Sequence, residues 1–182
     1  MTMTSRTVEI RRAGTRDAAA LAALVREYLR ERHPGHPGAT AAELSRDVLG
    51  GRGSHRVLLA ERRGEAIGFV AWDPVYDMHW AAGGAQVADL YVVPASRGHG
   101  VALALVCGLC AEARAEGAVF LRGNGFDRSS PTGRFYERIA IAFDSAECHC
   151  AGRAFRHLAE LHGSPLRVLV RSLPPREWNF SA

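Results

Sequence analysis

The segment Val87-Ala88-Asp89-Leu90-Tyr91-Val92-Val93-Pro94-Ala95-Ser96-Arg97-Gly98-His99-Gly100-Val101-Ala102 decides how this chain reads. An apolar, β-branched run stops at a proline, an Arg-Gly-x-Gly turn follows, and an Ala/Leu-rich run with helical character continues to Ala115. The first amides of a helix lack intrahelical acceptors, so a strand, glycine turn and helix in this order offer a row of N–H groups to an anion. Gly98 and Gly100 remove the Cβ atoms that would hold a phosphate away from the backbone. Arg97 adds a positive charge. The segment predicts a diphosphate site.

Two familiar phosphate loops do not fit. Gly98-His99-Gly100-Val101-Ala102-Leu103 lacks the third glycine of the dinucleotide fingerprint. The nucleotide-hydrolase loop needs a lysine, and this chain has none: all 23 Lys+Arg positions are arginine. The segment instead resembles the coenzyme A loop of the GNAT family of N-acetyltransferases, whose pattern is [Gln/Arg]-x-x-Gly-x-[Gly/Ala]. Arg97, Gly100 and Ala102 fill that pattern, and the run from Asp89 to Pro94 is similar to the family's fourth strand.

The rest of the chain is consistent with that resemblance. Its 182 residues suit one domain with a sizeable core, and 47% hydrophobic with 23% charged residues is an ordinary globular composition. No apolar run approaches the ~20 residues of a membrane span, and the arginine-bearing N-terminus does not read as a secretory signal, so a cytoplasmic location is expected. The arginine, alanine and glycine usage suggests a GC-rich bacterial genome. A net charge of +4 with scattered arginines argues against a nucleic-acid surface.

Periodicity predicts a strand over residues 8–11, a helix over 18–32 with Leu21, Leu24, Val25, Tyr28 and Leu29 on its apolar face, and a shorter helix over 40–49. Strands over 56–61 and 66–72 flank an Arg-Arg-Gly turn, an aromatic-rich loop spans 73–84, and a strand covers 85–93. The long helix leads to a strand over 118–121, a loop, and a helix starting at Pro131. The order β-α-α-β-β-β-α-β-α matches the GNAT acyl-CoA N-acyltransferase fold: an α/β (α+β) protein with a mixed, mostly antiparallel twisted sheet flanked by helices. The resemblance covers residues 8–143 of a single domain spanning 1–182. Beyond it, 144–173 diverges, with one further strand over 145–150 and helices over 155–161 and 166–173, and 174–182 reads as a flexible tail. The divergent part is expected either to complete the sheet edge or to form a homodimer contact.

The resemblance implies acetyl-CoA as cosubstrate and transfer of its acetyl group to a primary amine of a small molecule or peptide. It assigns the diphosphate to the backbone of Arg97, Gly98, His99, Gly100, Val101 and Ala102. It assigns the pantetheine arm to the backbone of Tyr91, Val92 and Val93. The family pattern Asn-x-x-Ala-x-x-Phe-Tyr-Glu corresponds to Ser129-Ser-Pro-Thr132-Gly-Arg-Phe135-Tyr136-Glu137. Tyr136 is thereby implied as proton donor to the leaving thiolate, or else as a tyrosine packed on the sheet. Ser129 stands where the family has asparagine and could still bond the cofactor. Asp89 is either the base for the ammonium proton or a structural carboxylate, with His79 and His149 as rivals. Trp72, Asp73, Tyr76, Asp77, Met78, His79 and Trp80 form either an acceptor pocket suited to a cationic amine or an ordinary loop covering the core.

Neither cysteine pair predicts a metal site. Cys107 and Cys110 read as small helix residues, and Cys148-His149-Cys150 lacks the usual ligand spacing. Two readings compete with catalysis: a non-catalytic acyl-CoA-binding sensor, and an interaction domain whose cofactor groove is vestigial.

Overall fold

The computed structural model describes residues 8–51, 53, 55–123, 127–140 and 160. The chain falls into two compact units, Met1–Asn124 and Gly125–Ala182. The first unit runs β1 (Glu9–Arg12), α1 (Ala18–Arg32), α2 (Ala41–Glu43), β2 (Arg56–Arg62), β3 (Glu65–Asp77), β4 (Ala82–Val92), α3 (Val101–Ala115) and β5 (Phe120–Gly123). The second holds α4 (Pro131–Glu137). The elements expected over 145–150, 155–161, 166–173 and 174–182, and the Cys148-His149-Cys150 cluster, lie outside the described residues apart from the helical Glu160.

The strands form one sheet in the order β1-β2-β3-β4-β5. The pairings are antiparallel until β4 meets β5 in parallel. Alternation along the central strands explains why they read as unbroken apolar runs. Leu58, Ala60, Val70 and Val87 face α3, packing with Leu105 and Leu109. Val57, Leu59, Phe69 and Tyr91 face the other way, against Leu21, Ala22 and Leu24 of α1 and against Leu44. A strand covered on both faces has no polar side to show. α3 sits close to the sheet because Gly108 has no side chain: a Cβ there would come within 2.9 Å of Ile10 Cγ2 and 3.0 Å of Leu58 Cδ1.

Three expectations are corrected. Residues 73–84 are not a long loop. β3 continues to Asp77 and β4 starts at Ala82, leaving only the turn between them. Pro74 is tolerated because the β2 ladder ends at Trp72, so that side of β3 needs no further donor. Gly84 lies under the Phe120 ring, which any Cβ would strike. The second helix is α-helical only to Glu43 and then widens into a π turn over Leu44–Val48, closed by Leu49 N–H to Leu44 C=O at 2.8 Å. β5 begins two residues later than expected, because Ala118 N–H is spent on Ala113 C=O at the end of α3.

The start of α1 is tied to the sheet by charge. Arg11 on β1 reaches Asp17 at 2.7 Å and Glu61 on β2 at 2.5 Å. Asp17 also accepts from Gly14 N–H at 2.8 Å. The Arg11 guanidinium, aided by that amide, holds the buried carboxyl at about 2, below its ordinary 3.8. The stability this contributes is complete above the ordinary value and is lost as pH falls through the folded one. Asp17→Ala should therefore lower unfolding free energy by about 2 kcal/mol at pH 7, read by urea denaturation. Its deficit relative to wild type should shrink toward pH 2. A deficit that is constant with pH would refute the ion-pair explanation.

Candidate active site

The turn after β4 is built as the sequence predicts. Pro94–Ser96 forms one 3-10 turn. Gly98 and Gly100 both take left-handed backbone, at φ 74° and 82°. Neither has an atom within 4 Å of the place a Cβ would occupy, so the left-handed backbone, and not crowding, favours glycine here. The first helical bond of α3 runs from Ala104 N–H to Gly100 C=O at 2.9 Å. Among the described residues, the amides from Gly98 to Leu103 have no backbone acceptor. They lie at the positive end of a 15-residue helix. Val101 anchors the helix start in the core, Ala102 is half-buried beside it, and His99 is exposed on the turn. Donors, dipole and open space together fit a diphosphate.

Arg97 does something the sequence did not suggest. Its guanidinium turns back onto the chain, donating from Nε to Val92 C=O at 2.7 Å and from Nη2 to both Glu31 oxygens at 2.8 Å. It lies 5.4 Å from the Tyr91 ring centroid. The charge expected beside the phosphate is thus committed to α1. Tyr91 completes this clasp: its side chain is buried, and its hydroxyl bonds Glu31 at 3.1 Å and Glu27 at 3.5 Å. Burial and the neighbouring Glu31 push that phenol up to about 12, so it stays protonated. Of the backbone expected to hold the pantetheine arm, Val92 C=O accepts from Arg97 and Val93 N–H donates to Ile67 C=O at 3.0 Å. The β4–β5 ladder ends at Val87 and Gly123, so β4 from Ala88 onward has no described β5 partner.

β4 also carries a bulge. Ala71 pairs with Asp89, but Trp72 pairs with Val87, leaving Ala88 as an extra residue on β4. In a regular strand Asp89 would share Val87's face and point at α3. The bulge turns it to the α1 face, the side on which Tyr28 lies. Burial pushes the Asp89 carboxyl above its usual range, opposed by Tyr28 and by the nearby His55 and His33. On the same face Asp73 lies opposite Gln86 and accepts from His55 Nδ1 at 2.9 Å.

The aromatic residues grouped in the expected loop separate. Trp72 is a buried core residue on the α3 face. Tyr76, Met78 and Trp80 are 66%, 86% and 64% exposed, so they do not cover the core. Asp77 pairs with Arg122 and accepts from the N–H groups of His79 and Trp80. Trp80 meets Phe120 edge-on at 5.2 Å, and Arg122 lies 5.9 Å from the Trp80 centroid. Cys107 and Cys110 are exposed on α3. Among the described residues no cluster of His, Cys, Asp and Glu could hold a metal ion, and no helix is long and apolar enough to cross a membrane.

In the second unit, Ser130 caps α4, accepting from Gly133 N–H at 3.0 Å, with Pro131 at the first helical position. Ser129 donates its hydroxyl to Asp127 at 2.8 Å, so it shapes the turn before the helix. Gly133 has no room for a Cβ against the carbonyls of Asp127 and Arg128. Tyr136 is half-buried on α4, its ring 5.3 Å from that of Phe135.

Residues 19–140 match the acetyltransferase (GNAT) family model. The chain belongs to this family. Among curated proteins none matches. A ribosomal-protein-alanine N-acetyltransferase from Brucella melitensis biovar Abortus 2308 is similar at 26% identity and a TM-score of 0.67, over 79% of this chain and 98% of that one. An integron cassette protein from the mobile metagenome of V. cholerae is similar in fold at 21% identity and a TM-score of 0.75, over 86% and 99%. An aminoglycoside acetyltransferase from an uncultured soil metagenomic sample follows at 18%, 0.65, 79% and 97%. The chain is a GNAT acetyltransferase, and acyl transfer to nitrogen is its reaction class. Sequence reasoning missed Glu27 and Glu31, whose i, i+4 spacing was the available signal.

Gly100→Asp should abolish acetyl-CoA binding in calorimetric titration, since it places a carboxylate at the amide row and strains the left-handed position. Unaltered affinity in a folded variant would remove the turn from the site.

Proposed function

We propose that this chain transfers the acetyl group of acetyl-CoA to a primary amine of a small molecule or peptide, that the acceptor is cationic, and that the enzyme works in a bacterial cytoplasm. The observation that carries the reading is the row of amides from Gly98 to Leu103 at the start of α3, which have no backbone acceptor among the described residues. Acetyl-CoA would supply an activated acetyl thioester. The amides from Gly98 to Ala102 would hold its diphosphate, and the outer edge of β4 up to Tyr91–Val93 its extended arm.

The acceptor amine must lose a proton before it can attack a carbonyl carbon. Asp89 is the group we assign to receive it. It is half-buried on the α1 face and lifted by burial into a more basic range. Asp73 on the same face would favour a second positive charge on the acceptor. That reading fits the aminoglycoside and ribosomal-protein substrates named for the similar enzymes. Tyr136 is the proposed proton donor to the departing thiolate. The assignment rests on the Phe135-Tyr136-Glu137 motif and the α4 helix that carries it. A phenol of pKa near 10 can protonate a thiolate whose conjugate acid lies near 8.5. Ser129 is proposed to support the cofactor indirectly, by holding the turn before α4.

The test is calorimetric titration with acetyl-CoA, followed by free-thiol release against a panel of diamines, aminoglycosides and peptides. Binding with thiol release on cationic amines is expected. Binding without release on any amine would favour an acyl-CoA sensor. Tyr136→Phe should keep cofactor affinity while slowing turnover by roughly tenfold or more. Asp89→Asn should lower kcat by about a hundredfold at neutral pH. Full turnover in either variant would remove that residue from its role.

A further inference from the structure

The turn from Arg97 to Gly100 is not held by packing. Beyond its own chain neighbours, nothing lies within 4 Å of the places where Cβ atoms of Gly98 and Gly100 would stand, and His99 is exposed. Both glycines take left-handed backbone, which glycine enters and leaves at little steric cost. Such a segment must be fixed from its ends. After it, Val101 is buried in the core. Before it, Ser96 is buried and accepts from Arg62 Nη1 at 3.4 Å, and Arg97 bonds back onto the chain.

Arg97 carries the stronger tether. Its Nε donates to Val92 C=O at 2.7 Å, which ties the turn to the end of β4. Its Nη2 donates to both carboxylate oxygens of Glu31 at 2.8 Å. The Tyr91 ring centroid lies 5.4 Å from the same guanidinium, and the Tyr91 hydroxyl donates to Glu31 Oε1 at 3.1 Å. Glu31 therefore receives donors from both the strand and the turn. It stands on α1, which Leu21 and Leu24 seat in the core. Its carboxylate is a fixed point outside the turn.

We propose that Glu31 is a positioning residue for cofactor binding: acting through Arg97, it holds the glycine turn in the shape that the diphosphate of acetyl-CoA needs, before the cofactor arrives. The inference rests on the reading of that turn as the diphosphate site. A mobile turn would have to be ordered as the cofactor binds, and that ordering weakens affinity. The same contact could act with the opposite sign. If Glu31 merely masked Arg97, removing the carboxylate would free a cation for phosphate and tighten binding. The bond from Nε to Val92 and the Tyr91 ring argue against this, because they keep the guanidinium on β4 without help from Glu31. The pair is 45% exposed at Arg97 and 40% at Glu31. An ion pair so exposed adds little to global stability, so its effect falls on the turn and not on the fold.

Glu31→Ala should raise the Kd for acetyl-CoA roughly tenfold in calorimetric titration. Glu31→Gln keeps one acceptor oxygen and should raise it by about threefold. The thermal midpoint should stay close to wild type in both. With a responsive amine, KM for acetyl-CoA should rise while kcat is kept. Acetylpantetheine, which has no diphosphate, should serve variant and wild type equally. In cofactor-free protein the nitrogen-15 order parameters of Gly98, His99 and Gly100 should fall in Glu31→Ala. Arg97→Gln should weaken acetyl-CoA binding in the same way, and adding Glu31→Ala to it should cost little more, since the two act through one contact. Unchanged or tighter binding in Glu31→Ala, order parameters that do not move, or a loss of affinity matched by a loss of thermal stability would overturn the role. Wild-type protein that binds no acetyl-CoA is a separate result: it removes the diphosphate reading, and the role of Glu31 with it.

Discussion

β4 is the constraint on which the rest of this fold depends. It is packed on both faces, by α3 and by α1, and it pairs antiparallel with β3 and in parallel with β5. A strand so enclosed can present a functional group only by breaking a rule of regular pairing, and β4 breaks two. Among the described residues its ladder with β5 ends at Val87. It carries one extra residue at Ala88, which reverses the facing of Asp89 and the residues beyond it. Were Ala88 paired in a regular ladder, Asp89 would share Val87's apolar α3 face, where an unpaired carboxylate is costly to hold. The bulge thus gives the same strand an apolar side toward α3 and a carboxylate toward α1.

The clasp between Arg97, Tyr91 and Glu31 has its origin in the same placement. Tyr91 lies two residues after Asp89 on the same face, so it too meets α1. Its hydroxyl and the Arg97 guanidinium converge on Glu31. The glycine turn is therefore tied to α1. An arginine that bonds its own chain is more useful here than one left free. A turn with two left-handed glycines has many alternative conformations, and fixing it in advance lowers the entropy lost when a ligand is gripped. In the proposed function the attraction for phosphate then rests on amides and the helix end, which hold their orientation without a side chain to order.

The parts legible in the sequence were those governed by local pattern. Gly98 and Gly100 announced the turn, the apolar stripe announced α1, and Pro131 the start of α4. The order of elements came from these, and the family model agrees with it. The features that were not legible depended on contacts distant in sequence. Pro74 and Gly84 look like breakers until the end of the β2 ladder and the Phe120 ring are placed beside them. Arg97 looks free until Glu31, 66 residues earlier, is seen to meet it. The facing of Asp89 could not be read at all, because no residue type marks an alanine as the extra member of a bulge.

The proposed chemistry at Asp89 sets two physical effects against each other. Burial alone would raise the carboxyl until it stayed protonated and could accept nothing. A fixed guanidinium at hydrogen-bond distance would do the reverse, holding the anion so firmly that it would be a feeble base; Asp17, held at about 2 by Arg11, shows that outcome within the same chain. Asp89 lies between these limits: burial holds its carboxyl above the ordinary range, with no guanidinium bonded to it among the described residues. Two aspartates in one chain are thus set apart by their surroundings: Arg11 makes Asp17 a structural anchor, and burial makes Asp89 the more basic carboxylate that the proposed chemistry needs.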